Sequence, residues 1–245
     1  MTPPLIKAII FDFDGLILDT ESPDLHSWQA VYREHGVVFP LLKWVDALGR
    51  AADAFDPVGY LEAEVGTPFD REEIHARKRH FEDELFLGKS AMPGVERAIE
   101  EARDLGLRRA VASSSGRNWV WSHLDDLGLL ASFDCIKCAE DVDLTKPAPD
   151  LYHAVLSELD LHGRDAIVLE DSPNGVRAAK AAGAFCVAVP NAVTASLDFA
   201  GADLQVASLA EITLERLIRR LGGRPVAASD HGDIRQDSAA DPEDS

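Results

Sequence analysis

Short β-branched apolar runs alternate with helical patterns along most of this 245-residue chain, and that alternation constrains the fold more than any other feature. Strands separated by a helix cannot pair as a hairpin, so they build βαβ units and a parallel sheet. The runs 7–13, 109–113, 134–138, 166–169 and 185–189 read as strands. Helices are predicted over 94–105 behind Pro93, 118–127 ahead of Gly128, 149–159, 173–182 ahead of Gly183, and 209–221. Proline near a helix start and glycine just past its end are the usual punctuation.

The interval 21–88 breaks the alternation: it carries helical patterns such as HSWQAVYREHG and DREEIHARKRHFEDELFLG and no convincing strand. One strand precedes it and the partners of that strand follow it, so it is predicted as an insertion. The expected architecture is α/β, a three-layer Rossmann-like parallel sheet core formed by 1–20 and 89–221, with an inserted α-helical cap domain at 21–88. From 222 to 245 the chain is polar and acidic without periodicity, and a disordered tail is expected.

Composition narrows the function classes. The chain is 46% hydrophobic and 27% charged, enough for a sizeable core, and no run approaches the roughly 18 apolar residues of a membrane span. No secretory leader is read, so a cytoplasmic protein without membrane attachment is expected, a monomer or weak homodimer. A net charge of −19 argues against nucleic acid, because phosphate backbones are bound by clustered Lys and Arg. A small anionic ligand stays compatible, provided a local cation reverses the potential inside its pocket. Of the three cysteines, Cys135 and Cys138 form a CxxC with no second pair and no helix behind it, and are predicted to be reduced residues of a short buried strand.

The stretch IIFDFDGLILDT sets Asp12, Asp14 and Asp19 in one of the most apolar runs of the chain. Carboxylates there need pairing, hydrogen bonds or a metal. Residues two apart on an extended segment point the same way, which places Asp12 beside Asp14 with Phe13 turned into the core. Ligands of open parallel sheets bind beyond the carboxyl ends of the strands. Other predicted strands end in Ser113 and Ser114 and in Glu170 and Asp171, while Lys146 sits in the loop TKPAPD after a third. Converging like charges call for a cation, and Mg²⁺ matches carboxylate, carbonyl and water oxygens best. Metal, lysine and serine hydroxyl together make a receptor for phosphate. Asp12 could then attack phosphorus in line and form an aspartyl-phosphate, with Asp14 shuttling protons.

These residues carry a resemblance. DFDGLILDT, VASSS, KPAPD and LEDSPNGVRAAKAAG resemble the four successive motifs of the haloacid dehalogenase superfamily, and within it the small-molecule phosphatases and β-phosphoglucomutase-like enzymes with a helical cap after the first motif. The resemblance implies Asp12 as nucleophile, Asp14 as general acid/base with its backbone carbonyl on the metal, Ser113 as phosphate-binding hydroxyl, with Ser114 beside it, and Lys146 as the lysine stabilising nucleophile and phosphate. It also implies Asp171, with Glu170, as metal-binding acids, and with them a Mg²⁺-dependent phosphatase of small phosphorylated metabolites such as sugar phosphates. Where the mutases carry a histidine this chain has Asp24, and their cap arginine falls on Ala52 with Arg50 displaced, which favours hydrolysis over a sugar phosphomutase. A phospho-accepting signalling receiver also uses acids, a hydroxyl and a lysine at sheet ends, but it is about half this length and has no insertion after its first strand.

The basic run HARKRH reads first as a solvated helix face that needs no function; the alternative is that Lys78 or Arg77 leans over the crevice to meet the substrate, with Arg50 a second candidate. Trp28, Trp44, Trp119 and Trp121 are expected to pack rather than to form a sugar platform.

Overall fold

The computed structural model describes residues 4–48, 55–86 and 89–225. Its main sheet has six parallel strands in the order β4-β3-β2-β5-β6-β7. These are β2 (Ala8–Phe11), β3 (Arg108–Ala112), β4 (Cys135–Lys137), β5 (Ala166–Glu170), β6 (Phe185–Ala188) and β7 (Leu204–Gln205). The chain builds outward from β2 to β3 and β4, then returns to add β5, β6 and β7 on its other side. That reversal places the topological switch point, where ligands of such sheets bind, at the carboxyl end of β2.

Period-two alternation splits the apolar residues of each strand between two faces. Ile9 and Phe11, with Ile167 and Leu169, pack under helices α5 (Val95–Asp104), α6 (Arg117–Asp126) and α9 (Leu214–Arg220). Ala8 and Ile10, with Ala166 and Val168, pack under α7 (Asp150–Glu158) and α8 (Pro173–Ala181). Both faces are covered, so these strands are apolar on both sides, and each fully buried Ile or Leu contributes about 1.5–3 kcal/mol.

From Glu21 to Phe86 the described residues contain only helices: α1 (Glu21–Glu34), α2 (Leu41–Ala47), α3 (Pro57–Val65) and α4 (Arg71–Phe86). They enclose a separate core of Trp28, Val31, Tyr32, Phe39, Trp44, Val58, Leu61 and Ile74. The Asp56 side chain caps α3 by accepting from Gly59 N–H at 3.1 Å.

Three expectations are corrected. The predicted helix 209–221 is a 3₁₀ turn, Leu209–Glu211, and a separate α9, because Ile212 and Thr213 take extended dihedrals and the Thr213 hydroxyl caps Arg216 N–H at 3.3 Å. Leu204–Gln205 adds a strand at the sheet edge that is too short to show a period. Within the span expected to be tail, β8 (Arg224–Pro225) pairs in parallel with β1 (Leu5–Ile6); residues 226–245 lie outside the described ones. Cys135, Cys138 and Cys186 are buried thiols. Cys135 joins one core and Cys138 the other, so each serves as a small apolar packing residue.

Candidate active site

Asp12 leaves the sheet just past β2 with its N–H still donated to Leu169 O at 3.0 Å, and Phe13 turns fully into the core. The chain then reverses at Gly15, whose φ is +75°; a Cβ there would come within 2.3 Å of Asp171 Oδ2, so the turn and the crowding both demand glycine. Asp12 and Asp14 thus sit at the switch point, Asp12 buried and Asp14 half-buried.

Lys146 is 2% exposed and donates to Asp12 Oδ1 at 2.6 Å and to Glu170 Oε1 at 2.7 Å. Tyr152, from α7, donates its buried hydroxyl to the same Glu170 oxygen. The other Glu170 oxygen faces the backbone N–H and hydroxyl of Ser172 at 3.4 and 3.3 Å. Glu170 therefore holds Lys146 while also facing the acid cluster. Asp12, Glu170 and Asp171 each place a carboxylate oxygen within 4.8 Å of the others, all three buried. Asp171 is joined by Glu21, the first residue of α1, through Asn191, whose Nδ2 lies 2.8 Å from Asp171 Oδ2.

One ammonium cannot neutralise so many buried acids. Burial and the Glu170 charge push Asp12 up to about 7 against the opposing pull of Lys146. Burial likewise raises Glu21 to about 8, and burial with the Glu21 charge raises Asp171 well above the usual carboxylate range. On Lys146 burial acts to lower the pKa, but the charges of Asp12 and Glu170 outweigh it and the ammonium is retained. Three converging hard-oxygen donors with excess negative charge fit a divalent cation such as Mg²⁺.

A consequence for stability follows from linkage. These carboxyls bind protons more tightly folded than unfolded, so the metal-free fold loses stability as pH rises from about 4, where unfolded carboxyls titrate, to 7 and 8, where Asp12 and Glu21 do. In EDTA the thermal midpoint is expected to be lower at pH 8 than at pH 5.5, with Mg²⁺ raising it more at the higher pH. A midpoint that climbs from pH 5.5 to 8 in EDTA would contradict the excess-charge account.

Asp14 faces a different set. Its Oδ2 accepts from the hydroxyls of Ser113 at 3.1 Å and Ser115 at 2.7 Å, and its Oδ1 from Trp119 Nε1 at 3.0 Å. Its side chain is not among the acids that converge for a metal, so only its backbone carbonyl is left for the expected role there. Ser113 is fully buried, whereas Ser114 and Ser115 line a cleft of about 670 Å³ above Asp12, Asp14 and Lys146.

The helical segment closes the other side of that cleft with Trp28, Trp44, Phe55 and Lys78. Lys78 pairs with Asp24 at 2.7 Å and Glu82 at 2.5 Å, and Asp24 also accepts from Trp44 Nε1 at 2.9 Å. Arg77 instead pairs with Glu34 and lies over the Phe81 ring. Arg50 lies outside the described residues.

Several residues of the site were not singled out from the sequence: Glu21, Ser115, Tyr152 and Asn191. Trp119, expected only to pack, holds Asp14. Ser115 had a signal as the third serine of VASSS. Asn191 had one in the turn-forming PNAVT. Glu21 and Tyr152 had none.

A family profile described as haloacid dehalogenase-like hydrolase matches residues 9–189. Among curated relatives, the Bacillus subtilis protein YhcW, provisionally named a phosphatase, is 42% identical over 90% of this chain and 100% of its own length. Hexitol phosphatase B of Escherichia coli K12 is 31% identical over 89% of this chain and 99% of its own. Among solved structures, CbbY from Rhodobacter sphaeroides in complex with phosphate is 30% identical, covers 84% of this chain and 96% of its own, and superposes with a TM-score of 0.68.

Proposed function

This chain belongs to the haloacid dehalogenase-like hydrolase family, and on that premise we propose that it is a Mg²⁺-dependent phosphatase of small, hydroxyl-rich phosphorylated metabolites, acting through an aspartyl-phosphate. The observation that carries this reading is the buried Asp12–Lys146 pair, set among converging acids at the switch point with Asp14 beside it.

A carboxylate nearing a phosphate dianion meets repulsion of about 4 kcal/mol per charge pair at 4 Å in an effective dielectric near 20. Lys146 offsets part of this and keeps one Asp12 oxygen in place. A bound Mg²⁺, held by Asp12, Asp171 and the Asp14 carbonyl with Glu170 behind them, would supply the remaining positive charge. Asp12 then attacks phosphorus, the bond to the substrate oxygen breaks, and Asp14 delivers a proton to the departing alkoxide. In the second half-reaction Asp14, as carboxylate, takes a proton from water. That water attacks the aspartyl-phosphate and releases phosphate with Asp12 restored. The donors from Ser113, Ser115 and Trp119 orient Asp14 for both transfers.

The helical segment acts as a cap over the leaving group. Its aromatic walls and charged pairs suit a polyol or sugar, and a hexitol phosphatase stands among the relatives. Asp24 is already bound to Lys78 and Trp44, which favours simple hydrolysis over return of the phosphoryl group to the same sugar.

The test is phosphate release from a panel of hexose, pentose and polyol monophosphates. Turnover is expected with Mg²⁺, loss in EDTA, and recovery on adding the metal back. No hydrolysis of any monoester with Mg²⁺ present, or full activity in EDTA, would refute the reading.

A further inference from the structure

Beyond β6 the chain runs through Val189 and Pro190 to Asn191, which is 8% exposed at the carboxyl edge of the sheet. Its Oδ1 accepts from the N–H of Val193 at 2.9 Å, the N–H of Thr194 at 3.0 Å and the hydroxyl of Thr194 at 3.2 Å. The Thr194 hydroxyl oxygen in turn accepts from Asn191 N–H at 3.0 Å. This is an Asx-type turn, and it fixes the amide: with the oxygen committed to the loop, the nitrogen must face the other way.

What Nδ2 faces is the acid cluster. It lies 2.8 Å from Asp171 Oδ2, 2.5 Å from Glu21 Oε2 and 3.2 Å from Gly15 O. Those acceptors belong to three segments: the β5 loop, the start of α1 and the turn after β2. Satisfying the turn requires only the oxygen of Asn191. Its nitrogen is buried among groups that would otherwise repel one another, and an ordinary turn residue has no such partners.

We propose that Asn191 is a positioning residue for the metal: by holding Asp171 and Glu21 together it restrains the Asp171 carboxylate in the orientation that binds the cation, and it ties the first residue of the cap to the same point. This rests on the metal-dependent reading above. Groups that orient a metal ligand typically cost 10–100-fold in affinity when removed, and a cation held by few protein groups is sensitive to each.

Asn191→Ser isolates the nitrogen. A serine hydroxyl can still accept the backbone N–H groups of the turn but is too short to span to Asp171 and Glu21. Thr194→Ala is the counterpart, loosening the turn while leaving the amide nitrogen in place. The readout is the dissociation constant for Mg²⁺ alone, measured by titration calorimetry on the full chain, beside thermal midpoints in EDTA.

Asn191→Ser is expected to fold, to bind Mg²⁺ about 10–100-fold more weakly, and to regain turnover when Mg²⁺ is raised by the same factor. Thr194→Ala is expected to stay within about threefold of the parent chain, well inside that range. A serine variant that fails to fold without metal, or that binds Mg²⁺ within about threefold of the parent, makes Asn191 purely structural and overturns the assignment. Equal weakening in Thr194→Ala also overturns it, since the loop rather than the amide would then be responsible. If the parent chain itself binds no Mg²⁺, the metal-dependent reading fails first; if it binds and only the variant result is contrary, this inference alone falls.

Discussion

Asp12→Asn is expected to abolish phosphate release while the fold survives. Asparagine is nearly the same shape but its amide is a poor nucleophile, and removing a covalent nucleophile costs on the order of 10⁴-fold or more in turnover. The local electrostatics favour survival of the fold: Asp12 is one of several buried acids whose proton affinity is raised by burial first and by one another's charge second, and a neutral side chain relieves part of both costs. Lys146 retains Glu170 as a partner at 2.7 Å. In EDTA at pH 8 the variant should therefore melt no lower than the parent chain. Single-turnover assays with a radiolabelled monoester would find label trapped on the parent protein after acid quench and none on the variant. Residual turnover within tenfold of the parent would remove Asp12 as the attacking group.

Lys146→Met is expected to lose both activity and stability. The side chain is of similar length, so packing against the Tyr152 ring, 5.2 Å from the ammonium, changes little. The charge is what goes. Asp12 and Glu170 are left buried without their counter-ion, and breaking a buried pair by deleting one partner costs about 3–5 kcal/mol. The cost has a pH signature: Asp12, raised to about 7 even with the lysine beside it, takes up a proton readily at pH 5.5 and so blunts the loss, and does so less at pH 8. Urea denaturation in EDTA at the two pH values measures this. Added Mg²⁺ should recover part of the stability and none of the turnover. A variant as stable as the parent at pH 8 would mean that the lysine is not the counter-ion on which this buried cluster depends.

How much of this was readable beforehand differs by residue. That Asp12, Asp14 and Asp171 meet at one edge of the sheet, with Lys146 reaching them from a loop, was legible because a charged residue ending an apolar strand needs a partner or a metal, and the sheet rule sends such ends to one crevice. The role of Glu170 stayed open between ligand and support. The structure shows it holding Lys146 at 2.7 Å with Tyr152 behind, inside the same acid cluster. Its close approach to α8 is permitted by Gly175, where a Cβ would sit 1.9 Å from the carboxylate. Trp119 has the composition of a packing residue, and only the position of α6 brings its Nε1 to Asp14. The break in the predicted C-terminal helix escaped periodicity because Leu209, Ile212, Leu214, Leu217 and Ile218 are apolar in either conformation.

By itself the sequence determined the longer strands of the main sheet and most of the helices between them, that helical segments follow the first long strand, and which side chains stand at the strand ends, because these depend on local periodicity and on the cost of burying charge; the two-residue strands and the break in the C-terminal helix lay beyond it. Tertiary structure decided the order of the strands, the pairing of Lys146 with two acids at once, and the meeting of Gly15, Glu21, Asp171 and Asn191 around one amide nitrogen. Hydrogen bonds between residues some 20 to 176 positions apart leave no local pattern, since their direction and length are set only when separate loops reach the same edge of the sheet.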